Sequence, residues 1–354
     1  MFVAWRDLRF AKGRFALMGT VIVLITLLVG LLSGLTAGLD RQNTSAITGL
    51  PADRIAFGGA EASYVDSTVT ERQWRQWAAA PGVTAAEPLG ISTTRATAGG
   101  RGVAVSVFGV RPGSHLGPPG ADLDDATAVL TTSAAADLGL RVGDRLTLAG
   151  RELTVAAVRG DASFSHTPVV WTSLDSWRRT TSAGPGAATV IALRTGPGVD
   201  VAATDRDAGT RTVTTADSVT AIGSYRSENG SLQLMRGFLF AISALVVGAF
   251  FTIWTIQRSG DVAVLKALGA STTTLLVDAL GQVGILLVGG TVVGTAVAAG
   301  LGVALSGSDV PFVLTASTVV LPAAVLVLLG TAGAALAVRR ITSVDPLTAL
   351  GSAR

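Results

Sequence analysis

The chain has 354 residues, of which 49% are hydrophobic and only 14% charged, and its mean hydropathy is +0.54. This balance is typical of a protein with several membrane-spanning segments and excludes an ordinary soluble domain. Cysteine is absent, which excludes disulfides and thiolate metal sites, and the high pI of about 9.9 reflects arginine usage and does not favour nucleic-acid binding.

Residues 1–14 read MFVAWRDLRFAKGR. Phe2, Trp5 and Leu8 recur every three residues, with basic residues on the other faces, which predicts an amphipathic cytoplasmic segment lying in the inner membrane interface. A basic flank that only fixes the membrane topology is an equally good interpretation of the same pattern.

Residues 15–39 contain no charged side chain and exceed the roughly 20 residues that a membrane-spanning helix needs. They predict the first transmembrane helix. A cleaved signal peptide is the alternative, but the apolar run is long for one and no small-residue cleavage site follows it clearly. Three later apolar runs predict transmembrane helices at 237–256, 275–305 and 312–338.

Residues 40–236 are predicted to form an α+β domain with a stalk. Residues 102–110 alternate apolar and polar side chains, as one strand would, and residues 145–148 with 153–158 are typical of a hairpin. The polar stretch 195–210 is predicted to be a loop.

Helices are expected between these strands. Thr68 and Glu71 have the spacing of a capping box, which would begin a helix carrying Trp74 and Trp77. Residues 215–234 predict a helical stalk that leads to the second transmembrane helix.

Basic residues near the ends of the apolar runs predict the orientation. They precede the first run (Arg6, Arg9, Lys12, Arg14), follow the second (Arg258, Lys266) and follow the fourth (Arg339, Arg340, Arg354). The termini, the 257–274 link and the 339–354 tail are therefore predicted to be cytoplasmic. The predicted fold class is a membrane α-helical protein with four transmembrane helices and an α+β extracytoplasmic domain between the first and second.

No phosphate-binding loop of the form G-x-x-x-x-G-K-[ST] occurs in the chain, so any ATP hydrolysis is expected to come from a partner chain. The two histidines, His115 and His166, lie far apart in predicted loops, where they are expected to be solvated. No catalytic residues and no metal site are predicted.

The 257–274 link contains the segment RSGDVAVLKALGAS. Asp261 suits the start of a short helix and Gly269 its end, which predicts a compact helix facing the cytoplasm. The residues expected to contact a partner are Arg258, Asp261, Leu265, Lys266, Leu268 and Gly269. A plain connecting helix resting on the bilayer is the alternative.

Three segments resemble motifs of one family. GDVAVLKALGAS is similar to the coupling-helix segment of FtsX/MacB-like (type VII) ABC transporter permeases, residues 136–144 to that family's L-G-x-x-x-G-D turn, and residues 345–350 to its D-P-x-x-A-L tail. The resemblance implies a separate ABC ATPase that docks on the coupling helix, and a homodimer of permeases in the lipid bilayer. Closure of the ATPases would then move the outer domain.

The opening MFVAWRDLR is most similar to the haem-efflux permeases of this family, which implies haem as a transported substrate and no permanently bound cofactor. A haem site would need apolar walls, a cation and an iron ligand. The candidate residues near the outer membrane surface are Met235, Tyr225, Glu228, Arg236, Phe238 and Arg41. Met235 or Tyr225 could ligate iron, and Arg236 or Arg41 could pair with a propionate. Membrane anchoring and packing are the alternative roles of these residue types.

Other functions are compatible with the same sequence. These are export of a lipid, lipoprotein, hydrophobic peptide or antibiotic, and conformational signalling to a cell-wall hydrolase without transport. A receptor or adhesion role is disfavoured by the coupling segment. Asp278 and Gln282, one helical turn apart in the third apolar run, are expected to form hydrogen bonds between helices, with a substrate role as the alternative.

Overall fold

The computed structural model describes residues 12–120, 123–257, 260, 264, 269–305 and 310–342. The chain divides into two compact units. One, which we call the membrane unit, comprises Met1–Gly38 and Ser231–Arg354, and the other, which we call the inserted domain, is Leu39–Gly230.

The elements in chain order are α1 (Lys12–Thr48), β1 (Arg54–Gly58), α2 (Glu71–Ala79), β2 (Val83–Ala98), β3 (Arg101–Val110), β4 (Thr127–Leu130), α3 (Thr132–Leu138), β5 (Arg145–Leu148), β6 (Arg151–Val158), β7 (Ser163–Phe164), β8 (Thr167–Ser173), α4 (Leu174–Thr181), β9 (Val190–Thr195), α5 (Val201–Ala208), β10 (Thr210–Thr214), α6 (Thr215–Ser218), α7 (Gly223–Gln257), α8 (Thr272–Leu305) and α9 (Ala316–Thr342). Four of these helices, α1, α7, α8 and α9, are long and apolar enough to cross a membrane. The inserted domain lies between the first and second of them, as predicted.

Small residues allow the long helices to pack closely in the membrane unit. A Cβ atom added at Gly294 of α8 would lie 2.7 Å from the Cβ of Thr26 on α1, and one added at Gly34 would lie 2.3 Å from the ring of Phe312. Because apolar side chains gain little from leaving lipid, such close packing is a main source of helix association in a membrane. Phe312 precedes α9, which begins at Ala316 and not at 312 as the hydropathy pattern indicates.

The inserted domain is built on a strongly curved mixed sheet. Its strand order is β10-β1-β9-β2-β3-β8-β4-β6-β5, and a further pairing of β5 with β2 closes the last six strands into a ring. The long strand β2 makes this possible, because residues 83–89 pair with β9 while residues 90–98 pair with β3. The predicted strand at 102–110 and the predicted hairpin at 145–158 are both present.

Two buried clusters lie on the inserted domain's sheet, since neighbouring residues of a strand point to opposite faces. Val107 of β3 belongs to a cluster with Trp77 and Trp177, whereas the next residue, Phe108, belongs to a cluster with Phe57 and Trp171. The second cluster contains a chain of edge-to-face aromatic contacts, which includes Phe164 of β7.

Three local predictions need correction. Helix α2 is capped by Thr70, whose backbone N–H donates to Gln73 Oε1 at 2.8 Å, and not by Thr68 with Glu71. The predicted loop at 195–210 contains α5, whose N-terminus is capped by Asp200 and whose C-terminus is followed by Gly209 in the left-handed conformation. The predicted stalk at 215–234 is interrupted, because Ile222 is extended and a new helix begins at Gly223.

Gly90 and Gly109 provide a test of the inserted domain's packing. They pair across β2 and β3, and the ring of Trp177 covers both: a Cβ at Gly90 would lie 2.3 Å from Trp177 Cδ2. We expect Gly90→Ala to destabilise the domain by about 1–3 kcal/mol, because overpacking must displace a buried ring. Thermal unfolding of the full chain, followed by circular dichroism, should show a lower midpoint. Gly184→Ala is the control, since nothing lies within 4 Å of its Cβ position. An unchanged midpoint for Gly90→Ala would contradict this packing.

Candidate functional site

The β7–β8 hairpin ends in a strained two-residue turn. Phe164 pairs with Thr167, and the turn residues Ser165 and His166 have φ angles of 48° and 62°. Such a turn needs positive φ at both positions, which is why Asn-Gly is preferred there. Positive φ costs a residue with a Cβ atom roughly 1–2 kcal/mol, so other contacts must hold this turn in place.

Two other hairpins of the inserted domain avoid most of that strain. The β2–β3 turn uses Gly99 and Gly100, with φ angles of 52° and 81°, and the β5–β6 turn uses Ala149 and Gly150, with φ angles of 46° and 80°. The β7–β8 turn contains no glycine. This contrast indicates that its side chains are there for the contacts they make.

The base of the hairpin is fixed in the aromatic part of the core. Phe164 is buried, with its ring centroid 5.4 Å from that of Tyr64 and 5.7 Å from that of Phe108. Burial raises the pKa of Tyr64, whose hydroxyl stays protonated and donates to Ser218 Oγ at 2.9 Å. The hairpin tip therefore projects from a rigid base.

Backbone hydrogen bonds attach the hairpin to the end of α1. The N–H of Ser165 donates to the carbonyl oxygen of Asn43 at 3.0 Å, and the N–H of His166 donates to that of Gln42 at 3.2 Å. The N–H of Ser163 also donates to Ser45 Oγ at 2.9 Å. Three residues in the last turns of α1, at positions 42, 43 and 45, thus lie against the hairpin.

Side chains connect the hairpin tip to the start of α7. His166 Nε2 lies 2.7 Å from Glu228 Oε2, across 62 residues of sequence. Asn43 Nδ2 donates to the same oxygen at 3.2 Å, and Asn43 Oδ1 accepts from Ser224 Oγ at 3.3 Å. The hydroxyls of Ser165 and Ser224 are 3.4 Å apart.

The short His166–Glu228 distance determines which ring nitrogen carries hydrogen. A carboxylate only accepts hydrogen bonds, so Nε2 must be protonated to bond Glu228, and it then has no lone pair left for Asn43 Nδ2, which is 3.2 Å away. Nε2 carries hydrogen both in one neutral tautomer and in the cation. The contact therefore exists whether or not the imidazole is charged. His166 is exposed, as expected of a loop histidine, and in addition it contacts Glu228.

The predicted substrate residues are distributed over both units. Tyr225 and Glu228 lie in the first turns of α7 within the inserted domain, and Tyr225 packs against the aromatic cluster. Arg41 is an exposed residue of α1. The structure thus brings Glu228 together with His166 and Asn43, neither of which is a predicted site residue.

Met235, Arg236 and Phe238 belong to the membrane unit. The side chains of Met235 and Phe238 are 48% and 62% exposed, and the Arg236 guanidinium lies 5.8 Å from the ring centroid of Phe240. An apolar surface and a cation thus occur together on this part of α7. The role of these residues in substrate binding stays a prediction.

Most of the predicted ATPase-coupling residues lie outside the described residues, namely Arg258, Asp261, Leu265, Lys266 and Leu268. Gly269 is described, and its φ of 93° belongs to the region that favours glycine. In α8, Gln282 Nε2 donates to Asp278 Oδ2 at 3.3 Å, so this pair is joined within one helix.

His115 lies in a surface cleft of about 320 Å³ formed by the loop after β3. In the same cleft, Arg111 Nη2 is 4.0 Å from Glu87 Oε2 and the guanidinium lies 5.0 Å from the ring centroid of Trp74. Within the residues that the structure describes, no three His, Asp or Glu side chains are grouped closely enough to hold a metal ion.

Comparison with known proteins finds family models that match both units of the chain. The model of the MacB-like periplasmic core domain matches residues 15–211, more than half of the 354-residue chain, and that of the FtsX-like permease C-terminal region matches residues 234–346. The chain is 25% identical to the Staphylococcus haemolyticus protein named as permease HrtB of a hemin transport system, with 99% of each chain covered. It is 24% identical to an uncharacterized ABC transporter permease of Mycobacterium tuberculosis, again with 99% of each covered.

Two solved structures align with part of the chain. The periplasmic region of MacB from Actinobacillus actinomycetemcomitans aligns with a TM-score of 0.38 at 13% identity, covering 48% of this chain and 92% of that one. The extracellular domain of YknZ from Gram-positive bacteria aligns with a TM-score of 0.35 at 11% identity, covering 46% of this chain and 98% of that one.

The periplasmic-domain model covers most of the inserted domain, the permease model covers residues 234–346, and the relatives align over 99% of this chain. The domain between α1 and α7 is therefore extracytoplasmic, and the protein is a multi-pass membrane protein. The chain belongs to the FtsX/MacB-like family of ABC transporter permeases.

Proposed function

We propose that the protein is the permease subunit of a haem exporter. The observation that carries the proposal is the full-length similarity to relatives named as hemin transport permeases, at 25% and 24% identity over 99% of both chains. The chemistry of the residues at the outer end of α7 is the second support.

Those residues provide the groups that haem requires. Met235 has a thioether that can ligate iron, Phe238 an apolar face for the macrocycle, and Arg236 a cation for a propionate. Tyr225 and Glu228 add oxygen ligands two to three turns earlier on the same helix, and Arg41 adds a second cation from α1. The exposed faces of Met235 and Phe238 leave room for a substrate or for a second copy of the chain.

The energy would come from a separate ABC ATPase. Two permeases and two ATPases would form the transporter, since each chain supplies only half of the usual set of spans. The ATPase docks on the 257–274 link, which the basic residues near the span ends put in the cytoplasm together with both termini. Its closure would be transmitted through α7 to the extracytoplasmic domain, and haem would leave sideways from the outer leaflet.

Haem binding can be measured directly. Haem titrated into the purified permease in lipid nanodiscs should give a saturable shift of the Soret band at about one haem per two chains. We expect Met235→Ala and Met235→Leu to weaken binding about tenfold, because both remove the thioether while leucine keeps the volume. Tyr225→Phe and Arg236→Ala test the other proposed contacts.

Leu245→Ala is the matched control for the haem titration, since Leu245 is an exposed residue of the same helix, at 72% exposure. A Met235→Leu variant that binds like wild type would exclude the thioether as a ligand. No saturable shift in the wild-type protein would reject haem as substrate and favour a lipid or peptide.

The coupling segment can be tested separately from the substrate. We expect Leu265→Glu to reduce the amount of ATPase that co-purifies with the permease at least fivefold, because it puts a charge on the predicted docking side. Val264→Glu adds the same charge at a neighbouring residue that is 54% exposed and outside that side. Equal losses of ATPase for both variants would contradict the predicted docking side. Membrane insertion of each variant is checked by its yield in the membrane fraction.

A further inference from the structure

The hairpin between β7 and β8 is attached very differently to its two neighbouring helices. Its contacts with the end of α1 include the backbone N–H groups of residues 163, 165 and 166. Its contacts with the start of α7 are made by the side chains of Ser165 and His166. Side-chain contacts can be broken by rotation about χ angles, whereas the backbone contacts require the hairpin itself to move away from α1.

The contact with α7 is also open to water. The side chain of His166 is 30% exposed and that of Glu228 is 43% exposed. Water can replace either partner when they separate, so neither His166 nor Glu228 is left without a hydrogen bond. Asn43, which donates to the same carboxylate, is 2% exposed and remains on α1.

The start of α7 has a place to pivot. Ile222 is 2% exposed within the aromatic cluster, but its backbone is extended with φ of −77° and ψ of 119°. Gly223 then begins α7, and nothing lies within 4 Å of its Cβ position. One extended residue therefore connects the buried core to the first turn of α7, which is also held by Tyr225 against the aromatic cluster and by the polar contacts of Ser224 and Glu228.

We propose that the β7–β8 hairpin is a releasable clasp, in which His166 is a positioning residue that holds Glu228 in the resting state and lets it go when ATP binds. The hairpin stays with α1, and α7 turns about Ile222 and Gly223. Release frees the Glu228 carboxylate from His166 and leaves it available to a substrate. This last point rests on the proposed function, in which Glu228 contributes to the substrate site, whereas the motion itself requires only an ATP-driven permease.

The absence of cysteine makes the motion measurable by cross-linking. Cysteines at Ser165 and Ser224 replace two hydroxyls that are 3.4 Å apart and leave His166 and Glu228 unchanged. In the assembled complex with its ATPase, oxidation should join the two quickly without nucleotide. We expect the rate to fall at least fivefold when the ATPase is trapped with ATP and vanadate, as measured by mass spectrometry of the linked peptide.

Ser106→Cys with Thr167→Cys is the matched control, because these hydroxyls are 2.7 Å apart and join the same hairpin to β3. Its cross-linking rate should not depend on nucleotide. Equal rates for the Ser165–Ser224 pair with and without nucleotide would overturn the proposal, as would failure of that pair to cross-link at all. Oxidation of the Ser165–Ser224 pair should also slow ATP hydrolysis at least fivefold, with recovery after reduction; unchanged hydrolysis would again overturn it.

His166→Gly separates the clasp from stability of the fold. Glycine accepts a φ of 62° without strain, so the unfolding midpoint should stay at or above that of wild type. In the Ser165→Cys, Ser224→Cys background, the same change should slow cross-linking without nucleotide several-fold, because the bond to Glu228 is lost. An unchanged rate would show that His166 does not hold α7. If cross-linking depends on nucleotide but haem does not bind, the clasp is supported and haem is rejected as the substrate. If ATP is hydrolysed while the cross-linking rate stays constant, the clasp is rejected and haem remains the proposed substrate.

Discussion

The inserted domain depends on one constraint, which is that both of its chain connections are helices that continue into the membrane unit. Helices α1 and α7 each run from one unit into the other, so no flexible linker is needed at either junction. A helix satisfies its own backbone hydrogen bonds, so it can pass between lipid and water without leaving polar groups unpaired. It also transmits rotation and displacement along its length, which an unstructured linker cannot do.

The domain holds the ends of both helices, and in the proposed clasp the end of α7 is the movable one. The aromatic chain through Phe57, Tyr64, Phe164 and Phe108 gives the hairpin a base that is stabilised by burial and edge-to-face contacts. The tip adds only a few polar contacts to this base. The proposed clasp requires the hairpin to stay with α1 and to release α7. Rigid packing at its base and exchangeable hydrogen bonds at its tip meet these two requirements.

Much of this architecture was accessible from the sequence. Hydropathy located the four spans, and period-two alternation located β3 and the β5–β6 hairpin, because burial on one face leaves a direct record in the sequence. The segment containing α5 was missed although Asp200 and Gly209 are good capping residues, since its eight residues carry little apolar pattern. The His166–Glu228 pair had no comparable signal, because a contact across 62 residues depends on the closed strand ring and not on local spacing. The lack of glycine at Ser165-His166 becomes informative only once the structure shows that these two residues form a turn.

The clasp also bears on how a substrate could bind at Glu228. Its carboxylate accepts from both His166 and Asn43, so any ligand that uses the same oxygen must first replace those bonds. One such hydrogen bond contributes about 0.5–1.5 kcal/mol, and less where water screens it, as it does at this half-exposed pair. A cost of about 1 kcal/mol lowers apparent affinity roughly fivefold. This is small enough for ATP binding to overcome, yet large enough to make the resting site weaker than the released one. If a permease captures substrate only after its ATPase has closed, its released site must bind substrate more tightly than its resting site.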